Sequence, residues 1–163
     1  GRISKEKGVE ELITCFLNSN LIDFTLKIFG DGPDLEHLKE KYTNSRIKFF
    51  GEMNNLEILE EIRKSAGVVT ATKLFEGQPT LLCEASMLGV PSIFPDTGGV
   101  SEFFPVNYNL SYKQYNYQNL TEKLNMLLQP EQRKLIGKNN KEFINKYLDK
   151  NKLLNNFEST FIS

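Results

Sequence analysis

The feature that most restricts the fold of this chain is its repeated exchange of short strand-like runs with helix-like runs. Phe24-Thr25-Leu26-Lys27-Ile28-Phe29 alternates as a strand, and Gly30-Asp31-Gly32-Pro33 turns it. Ile47-Lys48-Phe49-Phe50 is a second strand closed by Gly51, Val68-Val69-Thr70-Ala71 a third, Pro91-Ser92-Ile93-Phe94 a fourth and Asn109-Leu110-Ser111-Tyr112 a weaker fifth. Between them, apolar residues recur at helical spacing: Val9, Leu12, Ile13, Phe16 and Leu17; then Leu35, Leu38 and Tyr42; then Leu59, Ile62 and Ala66 after the Asn54-Asn55 cap region. A short helix is predicted over Val100 to Phe104. From Tyr117 onward the pattern is helical, in two or three pieces broken near Pro130 and Asp149. This order predicts a Rossmann-like α/β domain, a parallel sheet with helices on both faces. Ligands in such sheets sit beyond the carboxyl ends of the strands. The Gly1-Ser4, Phe50-Asn55, Lys73-Gln78 and Pro95-Gly99 loops are expected at that edge.

Bulk properties narrow the function classes. A chain of 163 residues fits one domain, with no internal repeat or linker to divide it. Its 20 Lys and Arg against 21 Asp and Glu leave a net charge of −1, which gives no support to a nucleic-acid partner. No run approaches the ~20 apolar residues of a membrane span, and no signal peptide opens the chain. Cys15 and Cys83 lie at apolar helix positions and read as free core thiols of a reducing compartment, which points to a cytoplasmic location.

The stretch from Phe75 to Ala85 holds the densest chemistry. Glu76 and Glu84 stand eight positions apart, with Gly77, Pro79 and an apolar run between them. Pro79 suits the first turn of a helix, and Leu81, Ala85 and Leu88 at i, i+4 and i+7 are expected to face inward. Glu76 then falls just outside the helix mouth and Glu84 about a turn and a half inside it. Helical side chains lean toward the N-terminus, so Glu84 can reach back to the same opening. The free N–H groups of that opening suit a phosphate.

The text Glu76-Gly77-x-Pro79-x-x-Leu82-x-Glu84-Ala85, then Gly89-x-Pro91, then Thr97-Gly98-Gly99 and Glu102, resembles the acidic pair of the retaining group 1 glycosyltransferases, the family 4 class with the two-domain GT-B fold. Gly1-Arg2-Ile3-Ser4-Lys5-Glu6-Lys7-Gly8 resembles that family's donor-diphosphate loop, and the resemblance favours Lys7 over Lys5 as its lysine. It implies that Arg2 and Lys7 stabilise the leaving nucleoside diphosphate, that Glu84 takes the ribose hydroxyls, and that Glu76 positions the donor sugar. It also implies that the amides of Gln78, Thr80 and Leu81 face the sugar and phosphates. Met53, in the Glu52-Met53-Asn54 loop, lies where the family contacts the base through its backbone. Gly98 and Gly99 match the family's glycine pair, either as a close backbone approach to ligand or as a tight turn. Gln78-Pro79 stands where Phe-Gly is common, so Pro79 removes one amide donor from that loop.

The resemblance covers Gly1 to about Phe161 and matches only the donor-binding half. It implies that residues 1–163 form a single nucleotide-sugar-binding domain with C-terminal helices from about residue 117. The strand expected before Gly1 and the acceptor-binding N-terminal domain lie outside the chain. The implied function is sugar transfer from a UDP- or GDP-sugar to an acceptor hydroxyl with retained configuration. The acceptor, a saccharide or a lipid-linked one, is met through the N-terminal domain, in bacterial surface polysaccharide or glycolipid synthesis. The fragment alone is expected to be inactive. The full protein would be cytoplasmic, with peripheral contact at the inner face of the membrane. No cofactor and no metal are expected: Asp-x-Asp is lacking, and His37, the one histidine, reads as an exposed helix residue. Gly30-Asp31-Gly32 lacks the third glycine of a dinucleotide fingerprint. A nucleotide-sugar epimerase and a non-catalytic nucleotide-binding module remain the alternatives.

Overall fold

The computed structural model describes residues 1–77 and 79–148. A 3₁₀ turn at Lys5–Lys7 leads into α1 (Val9–Leu17), β1 (Leu26–Phe29), α2 (Leu35–Lys41), β2 (Ile47–Gly51), α3 (Asn55–Arg63) and β3 (Val68–Val69). Then follow α4 (Thr80–Met87), β4 (Ser92–Asp96), a 3₁₀ turn at Val100–Phe103, β5 (Ser111–Lys113), α5 (Tyr117–Met126) and α6 (Pro130–Tyr147). Helices thus separate almost every pair of strands, and each strand pairing is parallel. The break near Asp149 expected from sequence lies outside the described residues.

Local chemistry accounts for the element boundaries. Asn54 caps α3 with a reciprocal box: the Glu57 amide donates to Asn54 Oδ1 at 3.0 Å, and the Asn54 amide donates to Glu57 Oε2 at 3.2 Å. The Asn116 side chain accepts from the Asn119 amide at 2.9 Å and starts α5. Pro130 opens α6, where its lack of an N–H costs nothing. Gly8 takes a left-handed φ of 65° between the first 3₁₀ turn and α1, and a Cβ there would stand 2.1 Å from the Ala71 carbonyl oxygen. That close approach brings the first loop against the end of β3.

The strands form two ladders, β1–β2 and β3–β4–β5. The sequence predicts one sheet; the structure instead has two separate parallel ladders, and a lane between β1 and β3 opens into one cavity lined from both. The main core joins α1, α2 and α5 to the strands through Ile13, Phe16, Leu38, Ile93, Leu120 and Leu124. On the other face, Leu82 packs with Phe94, Val100 and Phe104, while Ala85 packs with Ile62 and Val90. Helix α4 is therefore turned from the expected orientation. Leu82, Ala85 and Ser86 are buried, and Leu81 is 37% exposed. The small Ser86 side chain, counted as polar in a periodicity reading, is fully buried.

Candidate active site

One continuous cavity of about 1150 Å³ runs from the lane between β1 and β3 to the carboxyl edge of the strands. Arg2, Lys7, Met53, Glu76, Pro79, Thr80, Leu81 and Glu84 all contribute to its wall. Three separated stretches of sequence therefore converge on one opening. Gln78 lies outside the described residues.

The centre of the opening is an ion pair between the first loop and the loop after β3. Lys7 Nζ donates to Glu76 Oε1 at 2.6 Å, with both side chains about one-third exposed. Thr72 Oγ1 donates to the same oxygen at 3.1 Å and accepts from the Leu74 amide at 3.2 Å. Thr72 is buried. Two donors on Oε1 fix the carboxylate and leave Oε2 outside this network. The loop is tied further by the Lys73 amide, which donates to the Glu6 carbonyl at 2.7 Å, and by Tyr115 Oη, which donates to the Lys73 carbonyl at 3.2 Å.

Pro79 is the residue just before α4 rather than within its first turn. The Leu82 and Cys83 amides both point to the Pro79 carbonyl at 3.0 Å. The amides of Thr80 and Leu81, the first two of the helix, lie at its mouth with no acceptor from their own helix. Glu84 is half-buried one turn further in. Among the described residues, no carboxylate lies within ion-pair distance of Arg2, and no cation lies within that distance of Glu84. At the mouth, the Lys7–Glu76 pair is thus flanked by a cation, Arg2, and a carboxylate, Glu84, whose charges remain available to a ligand, while a second pair, Lys27–Glu61, lines the same cavity.

Gly98 and Gly99 stand behind this wall and not on it. Gly98 has a left-handed φ of 62°, and a Cβ there would lie 2.1 Å from the Glu76 carbonyl oxygen. The Gly99 amide donates to that oxygen at 3.1 Å. The pair supports the backbone that carries Glu76. Gly98→Ala is expected to lower stability by about 1–3 kcal/mol and to shift the Glu76 loop. Thermal unfolding checks the first effect, and amide exchange at Glu76 and Gly77 checks the second.

Glu102 is exposed in the first turn of the second 3₁₀ element. His37 is also exposed, on α2. Cys15 and Cys83 are buried and unpaired. Among the described residues, no group of three or more His, Cys, Asp or Glu side chains could hold a metal ion, and no helix is long and apolar enough to cross a membrane. Thr72 is the contact that sequence reading missed, because nothing in its local pattern separates it from any threonine ending a strand.

Parallel strands alternating with helices, with a charged cavity at the carboxyl edge of the strands, give the architecture of a Rossmann-like α/β domain. The profile described as Glycosyl transferases group 1 matches residues 1–143, and the chain belongs to that family. It is 31% identical over 152 residues to an uncharacterized glycosyltransferase of Methanocaldococcus jannaschii, covering 90% of this chain and 42% of that relative. It is 28% identical over 135 residues to the amylovoran biosynthesis glycosyltransferase AmsD of Erwinia amylovora, covering 81% of this chain and 38% of that one. The chain spans about two-fifths of the length of these curated relatives. In fold it matches the Anabaena protein HepE, crystallised in complex with UDP, with a TM-score of 0.82 at 19% identity, over 99% of this chain and 47% of that one.

Proposed function

We propose that this domain holds the nucleotide-sugar donor of a retaining glycosyltransferase, with the cavity mouth as its seat. The observation that carries the reading is the Lys7–Glu76 pair flanked by the unpaired Arg2 and Glu84 on one cavity wall. Arg2 and Lys7 face the diphosphate, whose negative charge grows as the glycosidic bond breaks. Fixed cations favour the transition state over the bound substrate because that charge develops only during the reaction. A diphosphate also offers Lys7 a second anionic partner beside Glu76. The N–H groups at the mouth of α4, from Thr80 and Leu81, add donors at the positive end of that helix. Glu84 accepts the two ribose hydroxyls, and Met53 lies beside the base. Glu76, steadied by Thr72, faces the donor sugar and stabilises positive charge at its anomeric carbon.

The donor is a UDP- or GDP-sugar; HepE, which shares the fold, is a UDP complex. The acceptor, a saccharide or lipid-linked hydroxyl, is met by a further domain of the whole enzyme, which works in the cytoplasm with peripheral contact at the membrane. AmsD, a biosynthetic enzyme for amylovoran, supports polysaccharide assembly as the setting. The charge chemistry of the site comes from side chains and amides, with no metal required.

Titration of the 163-residue chain with UDP, GDP and ADP tests this reading by calorimetry. One of the first two is expected to bind saturably, without sugar transfer by this chain alone. Glu84→Ala is expected to weaken that binding by about 1–3 kcal/mol and to leave inorganic diphosphate unaffected. Equal binding by the parent and Glu84→Ala chains would remove Glu84 from the site.

A further inference from the structure

Tyr115 has a backbone conformation that its residue type disfavours. Its φ is 65°, and among the described non-glycine residues only Asn107 shares that left-handed region. Asparagine enters it readily, whereas a bulky side chain there is an outlier. The demand comes from a turn. The Asn116 amide donates to the Lys113 carbonyl at 2.9 Å, so residues 113–116 form a β-turn with Tyr115 third. A positive φ at the third position of a turn favours glycine. Such a conformation persists in another residue only where the surrounding structure over-determines it.

Burial does not supply that compensation, because Tyr115 is 61% exposed. Among the described residues its ring stacks on no other aromatic. Starting α5 does not supply it either, since the Asn116 side chain caps that helix through the Asn119 amide. The hydroxyl is what makes a specific contact: Tyr115 Oη donates to the Lys73 carbonyl at 3.2 Å, 42 positions back in the chain.

Lys73 is the point at which the loop carrying Glu76 is held. Its amide donates to the Glu6 carbonyl at 2.7 Å, and its Nζ donates to Glu11 Oε1 at 2.5 Å. The residue before it, Thr72, donates its hydroxyl to Glu76 Oε1, and the residue after it, Leu74, donates its amide to Thr72 Oγ1. The Lys73 backbone is thus clasped by the first loop through its amide and by the 113–116 turn through its carbonyl. Tyr112 Oη adds a longer contact, 3.5 Å from the Thr70 carbonyl. The segment from β5 into α5 therefore reaches past β4 to the end of β3 twice.

We propose that Tyr115 is a positioning residue for Glu76: its left-handed backbone aims the hydroxyl at the Lys73 carbonyl, and that bond fixes the loop whose Thr72 orients the Glu76 carboxylate. Its consequence for the donor sugar rests on the role given to Glu76 above, whereas the clamp itself does not. Without the hydroxyl, the Lys73 carbonyl turns to solvent and the stretch from Thr72 to Glu76 gains freedom. Glu76 Oε1 then loses its fixed place between Lys7 and Thr72. Arg2 and Glu84 lie on other segments and keep theirs.

The test uses the 163-residue chain without nucleotide, so its outcome is independent of the donor reading, which is decided by the UDP and GDP titration. Tyr115→Phe removes the hydroxyl and keeps the ring and the turn; Tyr115→Gly also relieves the backbone. Amide exchange is read at Lys73 and Leu74, with Leu26 and Val68 reporting whether the two ladders are intact. The ¹³C signal of the Glu76 carboxyl carbon reports the carboxylate itself, which a purely structural role in the turn would not move. In Tyr115→Phe the Lys73 and Leu74 amides are expected to exchange about two- to twelvefold faster, the range set by one net hydrogen bond. The Glu76 signal is expected to move while Leu26 and Val68 hold. Tyr115→Gly is expected to match Tyr115→Phe in loop exchange and in the Glu76 signal and to melt at a higher temperature, since glycine sheds the strain without restoring the bond. Parent-like exchange at Lys73 and Leu74 in Tyr115→Phe, an unmoved Glu76 signal, or an equal acceleration at Leu26 and Val68 would each overturn the proposal. So would parent-like loop protection in Tyr115→Gly, because the turn rather than the hydroxyl would then hold the loop. A Tyr115→Gly chain that melts below Tyr115→Phe would overturn it too, by showing that the ring and not the hydroxyl accounts for tyrosine at this turn.

Discussion

Replacing Arg2 and Lys7 together by alanine is expected to weaken binding of the preferred nucleoside diphosphate by roughly 30- to 700-fold. Charge-assisted hydrogen bonds to phosphate contribute ~1.5–3 kcal/mol each, and partial exposure at the cavity mouth reduces that to about 1–2 kcal/mol each. The sum is about 2–4 kcal/mol, and ~1.4 kcal/mol is tenfold in affinity. The matching nucleoside, which lacks phosphate, is the internal control. Its affinity is expected to stay level, because neither cation is assigned to base or ribose. Calorimetry with both ligands separates the outcomes. An equal loss for nucleoside and diphosphate would mean that the substitutions distort the site, and no loss for either would place the diphosphate elsewhere. Salt should weaken diphosphate binding to the parent more steeply than to the double variant, since exposed charge contacts are screened.

Tyr108→Phe is expected to destabilise the domain by about 2–6 kcal/mol. Tyr108 Oη donates to the Ser92 carbonyl at 2.7 Å and accepts from the Ser92 amide at 3.0 Å and from Asn140 Nδ2 at 3.1 Å. One hydroxyl thus ties the first residue of β4 to α6. Its removal strands two buried donors, each at ~1–3 kcal/mol, at residues about 1% exposed or less. The ring also stacks on Phe94 at a centroid distance of 5.5 Å, an interaction that phenylalanine retains. The loss therefore reads the hydroxyl rather than the packing.

The same hydroxyl sets an alkaline limit. Burial pushes Tyr108 up to about 12, against smaller opposing effects from its Asn140 and Ser92 hydrogen bonds. Burial also holds Tyr112 well above the ordinary phenol range. A tyrosine is neutral when protonated, so raising its folded-state pKa adds stability that is complete below about pH 10, the unfolded value. For Tyr108 that contribution is lost as pH rises from about 10 to 12. The melting temperature of the parent should fall across that window, and the fall should be shallower in Tyr108→Phe. An identical alkaline slope in both proteins would remove Tyr108 as its cause.

The periodic parts of the fold were readable from residues alone, because local chemistry decides them. The Asn54-Asn55 cap region announces the start of α3, Pro130 the start of α6, and the alternation around Ile28 the strand β1. The convergence of Arg2, Lys7, Glu76 and Glu84 followed from loops expected at one sheet edge. What escaped depended on distant partners. The rotation of α4 that buries Ser86 and exposes Leu81 is set by its packing on other elements, with Leu82 against Phe94, Val100 and Phe104 and Ala85 against Ile62 and Val90. Gly98 could be read as touching ligand or as turning the chain; its support of the Glu76 carbonyl needs two loops in three dimensions. Thr72 and Tyr108 gave no local signal, since their hydrogen bonds reach residues on other segments or follow an irregular loop. The division into two ladders was hidden too, because strand periodicity does not say which strands are neighbours.

The most direct measurement of the central claim is amide chemical-shift mapping of the ¹⁵N-labelled chain during titration with UDP or GDP. Saturable shifts are expected at Arg2, Lys7, Met53, Glu76, Thr80, Leu81 and Glu84, the residues that share the cavity mouth. Saturable shifts confined to α2 or to the outer face of α6, with these residues unmoved, would contradict it.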